Sequence, residues 1–142
     1  EADAYLNAPY NSSEERLSNL NNAKVKYESM LNITIADQPQ VDEMIGNSSS
    51  SVKKEYALAL NQYLHLKHDY CLEMYTGIQS EIKGNTQEAQ KHYQNAKALI
   101  PKIQNQNKQI DAIINKDPSF KQFIIDQRNY AKRYVDHLNN KT

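Results

Sequence analysis

The residues best suited to chemistry lie in the segment HLKHDYC. On a helix that turns about 100° per residue, His65, His68 and Asp69 share one face. Imidazole and carboxylate groups at this spacing can contact one divalent metal ion. Three ligands on a single helix rarely complete a coordination sphere, so the sequence favours a polar helix face over a metal site. His92 and His137 can contribute only if the fold brings them near.

A row of aromatic rings forms a second pattern in the same region. Tyr56, Tyr63 and Tyr70 recur every seven residues, and Leu60 and Met74 fall on the same stripe. The stripe faces away from the histidines and can form an aromatic wall for a flat ligand or a sugar, which makes the three tyrosines the candidate ligand-binding residues. The alternative, which the sequence favours, is a packing surface between helices whose hydroxyl groups reach water or backbone.

Catalytic motifs are missing from the sequence. The chain has only three glycines and no glycine-rich phosphate loop, and it has no G-x-S-x-G. Cys71 is the only cysteine, so no internal disulfide can form, and we expect it to be a small buried apolar residue. We therefore predict that the protein is not an enzyme and carries no cofactor.

Charge and composition limit the kinds of partner. The 17 basic residues balance the 17 acidic residues, so no excess positive charge is available for binding nucleic acid. No apolar run approaches the roughly 20 residues of a membrane span. Leucine, isoleucine, valine and phenylalanine make up about a fifth of the chain, which predicts a thin core and a wide polar surface.

Four glycosylation sequons begin at Asn11, Asn32, Asn47 and Asn140. Such motifs accept glycans in exported proteins, so we expect an extracytoplasmic or cell-surface location. In a chain so rich in asparagine, about one or two sequons arise by chance, and a cytoplasmic location stays open.

Helices are the elements that must position these residues. Ser12 and Glu15 form a capping box that starts the first helix. Pro39 predicts the end of that helix near Ala36, because proline disfavours helix in the residue before it. Residues 1–10 lack a clear period and are interpreted as an entry segment before this helix.

A short helical turn is expected between Pro39 and Gly46, followed by a loop at residues 46–51. The second long helix should run from about Val52 to Lys83 and carry both candidate sites. Its two apolar faces suit a central helix, or one that a partner partly covers.

Two further helices follow. Asn85 caps the third helix, and Asp117-Pro118 starts the fourth. Pro101 should kink or split the third helix, and Gly77 is the one residue that can break the second. The apolar residues predicted to face inward are Ala89, Tyr93, Ala96, Ile100, Ile103, Ile110, Ile113, Ile114, Phe120, Phe123, Ile124, Tyr130, Tyr134 and Leu138.

No segment alternates as a strand would, so the sequence predicts an all-α fold. We expect one helical domain over residues 1–142, an antiparallel bundle of about four main helices. A helix of 30 residues is about 45 Å long, whereas a compact chain of this length has a radius of gyration near 14 to 15 Å. Either the bundle is elongated or the long helices break at Gly77 and Pro101.

Residues 77–101, which include GNTQEAQKHYQNAKALIP, resemble part of a tetratricopeptide repeat. The resemblance implies a helical hairpin whose small residues allow close approach. Glu73 and Ser80 depart from the family pattern, and a shift by about 34 residues finds no second copy. An ordinary helical hairpin is the alternative. The matching residues are Gly77, Gly84, Glu88, Ala89, Tyr93, Ala96 and Pro101.

Two functions fit these features. The first is a non-catalytic interaction or scaffold domain that binds a protein partner or a second copy of itself. The second is an extracytoplasmic sensor domain of the four-helix-bundle type that binds a small molecule. In an antiparallel four-helix bundle both termini lie at one end, which suits attachment to membrane helices.

Overall fold

The computed structural model describes residues 2–47 and 51–140, and every regular element in them is an α-helix. This confirms the all-α fold and the bundle of four main helices, which a short fifth helix precedes. In chain order the elements are α1 (Ala2–Asn7), α2 (Ser13–Asn47), α3 (Ser51–Ile82), α4 (Thr86–Asn115) and α5 (Pro118–Asn139).

The central element is α3. It packs against α2 and against α4, whereas α1 packs on α2 and α5 on α4. Glu73 contacts His92 near the α3–α4 turn, and Ala59 contacts Gln106 much farther from it. The two helices therefore run antiparallel beside each other, as the prediction of a central helix requires.

Local capping starts the helices where the sequence predicted. The Asn85 side chain accepts the backbone N–H of Glu88 at 3.3 Å, and the Asp117 carboxylate accepts two N–H groups of the first turn of α5. Ser12 Oγ accepts the N–H of Glu15 at 3.1 Å. Each cap satisfies backbone donors that have no partner inside their own helix.

The turn between α3 and α4 depends on Gly84, whose φ of +82° lies in the left-handed region. The N–H of Asn85 donates to the carbonyl of Ser80 at 2.9 Å, and the N–H of Gly84 donates to the carbonyl of Glu81 at 3.0 Å. These two bonds form a Schellman motif, which ends α3 and reverses the chain.

The predicted helix breaks are absent. α2 continues through Pro39, so the predicted end near Ala36 and the separate short turn are wrong. α4 continues through Pro101, and α3 through Gly77. Both prolines are exposed, so a carbonyl that loses its N–H partner can bond to water instead. The 32-residue α3 is roughly 48 Å long, and the bundle is elongated.

The opening segment and the predicted loop also differ from expectation. Residues 1–10 contain α1, which is too short to show a period in sequence. Gly46 still belongs to α2, and Ser51 already begins α3. Residues 48–50 of the predicted loop lie outside the described part of the chain.

The core consists of two clusters at opposite ends of α3. The first cluster lies towards the α3–α4 turn, and the second cluster lies where α5 begins. The first contains Ala2, Leu20, Ala23, Tyr27, Cys71, Met74, Ile78 and Ala96, and the second contains Ala59, Ile110, Ile113, Ile114, Phe120 and Ile124.

Several residues predicted to face inward are exposed. The largest departures are in α5, where Tyr130 is 70% exposed and Tyr134 57%. The physical reason is that packing of α5 is concentrated at its first two turns, so its apolar face continues beyond the helices that cover it. The other exposed members of the predicted set are Ile100, Phe123 and Leu138.

Candidate binding groove

The predicted metal residues lie on the outer face of α3. His65 and Asp69 are exposed, and His68 Nδ1 lies 3.8 Å from an oxygen of Asp69. His92 contacts Glu73 rather than this group, and His137 is exposed in the last turn of α5. Among the described residues no group of three potential ligands is arranged to hold a metal ion.

The tyrosine stripe faces the interior, but its members have different neighbours. Tyr56 packs edge-on against Phe120 at a centroid distance of 5.2 Å, and Tyr63 packs against the second cluster. Tyr70 packs edge-on against Tyr27 at 6.2 Å. The structure therefore makes Tyr56 and Tyr63 part of the packing between helices, whereas Tyr70 borders open space.

That open space is a groove over α3, with α2 and α1 on one side and α4 on the other. One cavity of about 310 Å³ lies beside the start of α1, and a second of about 590 Å³ lies between α1 and α4. Asp3, Tyr70 and Ile100 border both cavities. We call the side chains that surround these cavities the binding groove: Tyr27, Lys67, Tyr70, Met74, Tyr93, Lys97 and Ile100.

A chain of hydrogen bonds ties the four helices together at the end of the groove. Arg16 Nη1 donates to the carbonyl of Leu6 at 2.6 Å, and Nη2 donates to Glu81 Oε1 at 3.0 Å. The other Glu81 oxygen accepts the hydroxyl of Tyr93 at 2.6 Å. The ion pair between Arg16 of α2 and Glu81 of α3 is extended by these hydrogen bonds to Leu6 of α1 and Tyr93 of α4, so the chain of contacts reaches every wall of the groove.

A second polar contact holds the start of α1. The hydroxyl of the buried Tyr27 donates to a carboxylate oxygen of Asp3. Burial raises the pKa of Tyr27, and the hydrogen bond to Asp3 raises it further. Burial also raises the pKa of Tyr70 and of Tyr93, with Glu81 adding to the shift at Tyr93. These hydroxyls stay protonated at neutral pH, and those of Tyr27 and Tyr93 act as hydrogen-bond donors.

Close approach of α3 and α4 shapes the wall beside Glu81. A Cβ atom on Gly77 would lie 2.7 Å from Cε1 of Tyr93, so only glycine leaves room for the ring. Ala89 and Ala96 are each 1% exposed on either side of Tyr93 along α4. The small residues that the sequence singled out are therefore buried where the two helices approach each other, with Tyr93 between them.

Cys71 and Glu81, the reactive side chains beside the groove, are buried or already paired. Cys71 is fully buried, and burial raises the pKa of its thiol, so it is not an exposed thiolate nucleophile. The Glu81 carboxylate is occupied by Arg16 and Tyr93. What remains is an aromatic and apolar floor with cationic side chains, Lys67 and Lys97, at its margins.

Sequence reasoning missed most of this groove. Asp3 and Leu6 lie in the entry segment, to which no helix was assigned, and Arg16 and Glu81 are 65 residues apart. The available signals were Tyr70, a member of the tyrosine stripe, and the small residues around Tyr93, which marked a close helix crossing. Long-range pairing of charged groups has no local signature, which is why the ion pair could not be placed.

Comparison with known proteins identifies no relative: no family model, no curated protein and no solved structure matches the chain. Within residues 2–47 and 51–140, no helix has the length and apolar character that crossing a membrane demands.

Proposed function

We propose that the protein is a non-catalytic helical interaction domain, and that the binding groove is its recognition surface. The observation that carries the proposal is α1 itself. A six-residue helix is not stable alone, yet here it is held by contacts typical of a bound peptide helix. Ala2 is buried, the Leu6 side chain packs against the first cluster, and Arg16 and Tyr27 hold its polar groups.

The space beside α1 fits a further segment of similar chemistry. The larger cavity combines the rings of Tyr70 and Tyr93 with the apolar side chains of Met74 and Ile100. Lys97 borders it on the α4 side. A short amphipathic protein segment with apolar anchors and an acidic side chain matches this surface, in the helix-in-groove mode of recognition.

Site-specific photocrosslinking in the native host tests the proposal. A photoreactive residue at Gln90, which borders the larger cavity, should give one discrete protein adduct. The same group at Gln62, exposed on the outer side of α3, serves as the control and should not. The added substitution Lys97→Glu should weaken the Gln90 adduct. Equal adducts from both positions, or none from Gln90, would contradict the groove as a recognition surface.

A small-molecule sensor is the second candidate, and the smaller cavity favours it. Its volume of about 310 Å³ lies at the lower end of the range of about 300–1,000 Å³ typical of ligand pockets. Tyr27, Tyr70 and Gln104 supply polar atoms around it, and Lys67 supplies a charge.

A metabolite screen by thermal shift tests this second function. A ligand that binds only the folded state raises the melting temperature. Lys67→Met should reduce that shift, whereas Lys102→Met, which removes an exposed charge from α4, should not. A shift that survives Lys67→Met would place the ligand elsewhere, and a screen without any shift would leave the interaction domain as the better proposal.

An extracytoplasmic location is part of the same proposal. The sequon asparagines Asn11, Asn32 and Asn140 are exposed, which supports it. Protease treatment of intact host cells provides the test, because an extracytoplasmic domain should be digested while a cytoplasmic marker survives.

Membership of the tetratricopeptide-repeat family stays a prediction. The buried alanines and the approach of Tyr93 to Gly77 support it. The hairpin, however, uses helices of 32 and 30 residues, whereas a repeat of about 34 residues contains both of its helices. The support for the resemblance is therefore confined to the close crossing of α3 and α4.

A further inference from the structure

The second half of α5 presents an apolar face that the bundle does not cover. Phe120 and Ile124 of this face are buried in the second cluster. The same face continues as Tyr130, Tyr134 and Leu138, which are 70%, 57% and 47% exposed. All five side chains lie within a sector of about 120° on a helix of 3.6 residues per turn, and the exposed Gln127 and Ala131 lie in the same sector.

The uncovered face belongs to a helix that extends past the bundle. From Ile125 to Asn140 every side chain that the structure describes is exposed. Phe123, half exposed, stacks on Phe120 at a centroid distance of 6.3 Å, and Ile124 beside it is the last described residue of α5 that is buried. The apolar face is therefore a continuation of the second cluster.

We propose that this face pairs with a second copy of the chain, the two α5 helices running antiparallel about a two-fold axis at Tyr130. Such an isologous contact uses the same patch on both copies. Phe123 of one copy then lies opposite His137 and beside Leu138 of the other, and the two Tyr130 rings meet at the axis. The paired segment from Phe123 to Leu138 is roughly 22 Å long.

Charge complementarity selects the second copy and the antiparallel direction. Asp126 and Arg133 lie on the same flank of the apolar face, seven residues apart. In an antiparallel pair this flank meets its own copy, so Asp126 of each chain faces Arg133 of the other. In a parallel pair Asp126 would face Ala131, and neither salt bridge would form. One Asp126 oxygen accepts the Gln122 amide at 2.9 Å, and the other oxygen can accept Arg133.

The contact is small, so the dimer is reversible and its population depends on concentration. Sedimentation velocity from about 5 to 500 µM should show a shift from one chain mass to two. Tyr130→Glu places two like charges at the axis and should leave a monomer throughout. Because Tyr130 is exposed, the variant keeps its helical circular dichroism, so loss of the dimer is not loss of the fold.

A charge exchange tests the register. Arg133→Asp should raise the dimer dissociation constant at least about tenfold, because each Asp126 then faces a carboxylate. The double variant Asp126→Arg, Arg133→Asp exchanges the two charges and should restore the original constant. A matched control, Lys132→Asp, changes a charge away from the apolar face and should have a smaller effect.

Three outcomes would overturn the proposal. The first is a wild-type chain that stays monomeric at every concentration. The second is a Tyr130→Glu variant that dimerises as well as the wild type. A monomer that binds anionic phospholipid vesicles through Tyr130 and Tyr134 would assign the face to a membrane surface instead. The dimer contact is separate from the binding groove, so each proposal can fail without the other.

Discussion

The first and second clusters use polar groups in different ways. Around the first cluster, Arg16, Glu81 and Tyr93 form a chain that reaches all four surrounding helices, and Tyr27 holds Asp3. In the second cluster one buried amide, Gln106, donates to a backbone carbonyl. The first end is closed by directional contacts, while the second is held by apolar packing. The difference teaches that directional polar contacts fix the positions of the helices around the groove. Where α5 leaves the bundle, the buried apolar contact area holds the helices together instead.

The largest expected effect is at the centre of the first cluster. Tyr27 is 1% exposed, so Tyr27→Ala should destabilise the bundle by about 3–5 kcal/mol, as large-to-small changes in a core do. Val25→Ala on the same helix, at a site that is 63% exposed, should stay within about 0.5 kcal/mol. Urea denaturation of both variants gives the measurement, and equal losses would mean that the first cluster does not hold α2.

Loss of packing in the second cluster should unfold α5 without unfolding the other helices. Phe120→Ala removes a ring that is 5% exposed and anchors α5. We expect a loss of about 3–5 kcal/mol in the protection of α5 against amide hydrogen exchange, while α2 and α3 keep their protection. Ser119→Ala, one residue away and exposed, is the control. Loss of protection in all helices together would show that α5 and the bundle unfold as one unit.

A smaller effect is expected at the α3–α4 crossing. Ala89→Leu should overpack the contact and cost about 1–3 kcal/mol, although leucine is nearly as good a helix former as alanine. Gln90→Leu, at the exposed neighbouring position, should stay within about 0.5 kcal/mol. Indistinguishable denaturant midpoints for the two variants would contradict a tight crossing.

Alkaline pH should weaken the first cluster through Tyr27. The folded pKa of Tyr27 is raised above its ordinary value of 10.0, so the unfolded chain loses the proton first. The associated stability is complete below about pH 10 and is lost as pH rises, by roughly 1.4 kcal/mol per unit for one such group. Tyr27→Phe should make the fall above about pH 10 shallower in urea melts. An unchanged slope would mean that Tyr27 does not control it.

The smallest effect is expected for the polar group of the second cluster. Gln106 is buried, and its amide donates to the carbonyl of Ala59 at 2.9 Å. Gln106→Leu removes the donor but keeps the volume, so the cost should be below about 1.5 kcal/mol. Gln106→Ala, which also leaves a cavity, should cost more. A large loss for the leucine variant would show that this end too depends on a directional contact.

What the sequence could predict was local. Asn85 and Asp117 start helices through side chains that bond within three residues, so their roles are visible in any short window. The alanines at 89 and 96 were predictable because their period matches a helix face. All these features depend on neighbours in the chain.

What the sequence could not predict depends on the environment of a residue. Pro39 does not end α2, because it lies on an exposed face where water can replace the lost bond. α1 forms because Arg16 and Tyr27 hold it. Tyr130 lies on the same helical face as the buried Phe120. The periodicity of α5 cannot show how far the helices that cover this face extend along it.

Cys71 gives the molecule a built-in reporter. It is the only thiol in the chain, and its side chain is fully buried in the first cluster. A thiol-specific reagent can therefore react only when α3 separates from its neighbours. If reclosing is faster than modification, the labelling rate follows the equilibrium population of the open form. The rate of this one covalent reaction would then measure how often the wall of the groove opens. Opening of the second cluster would not change the labelling rate.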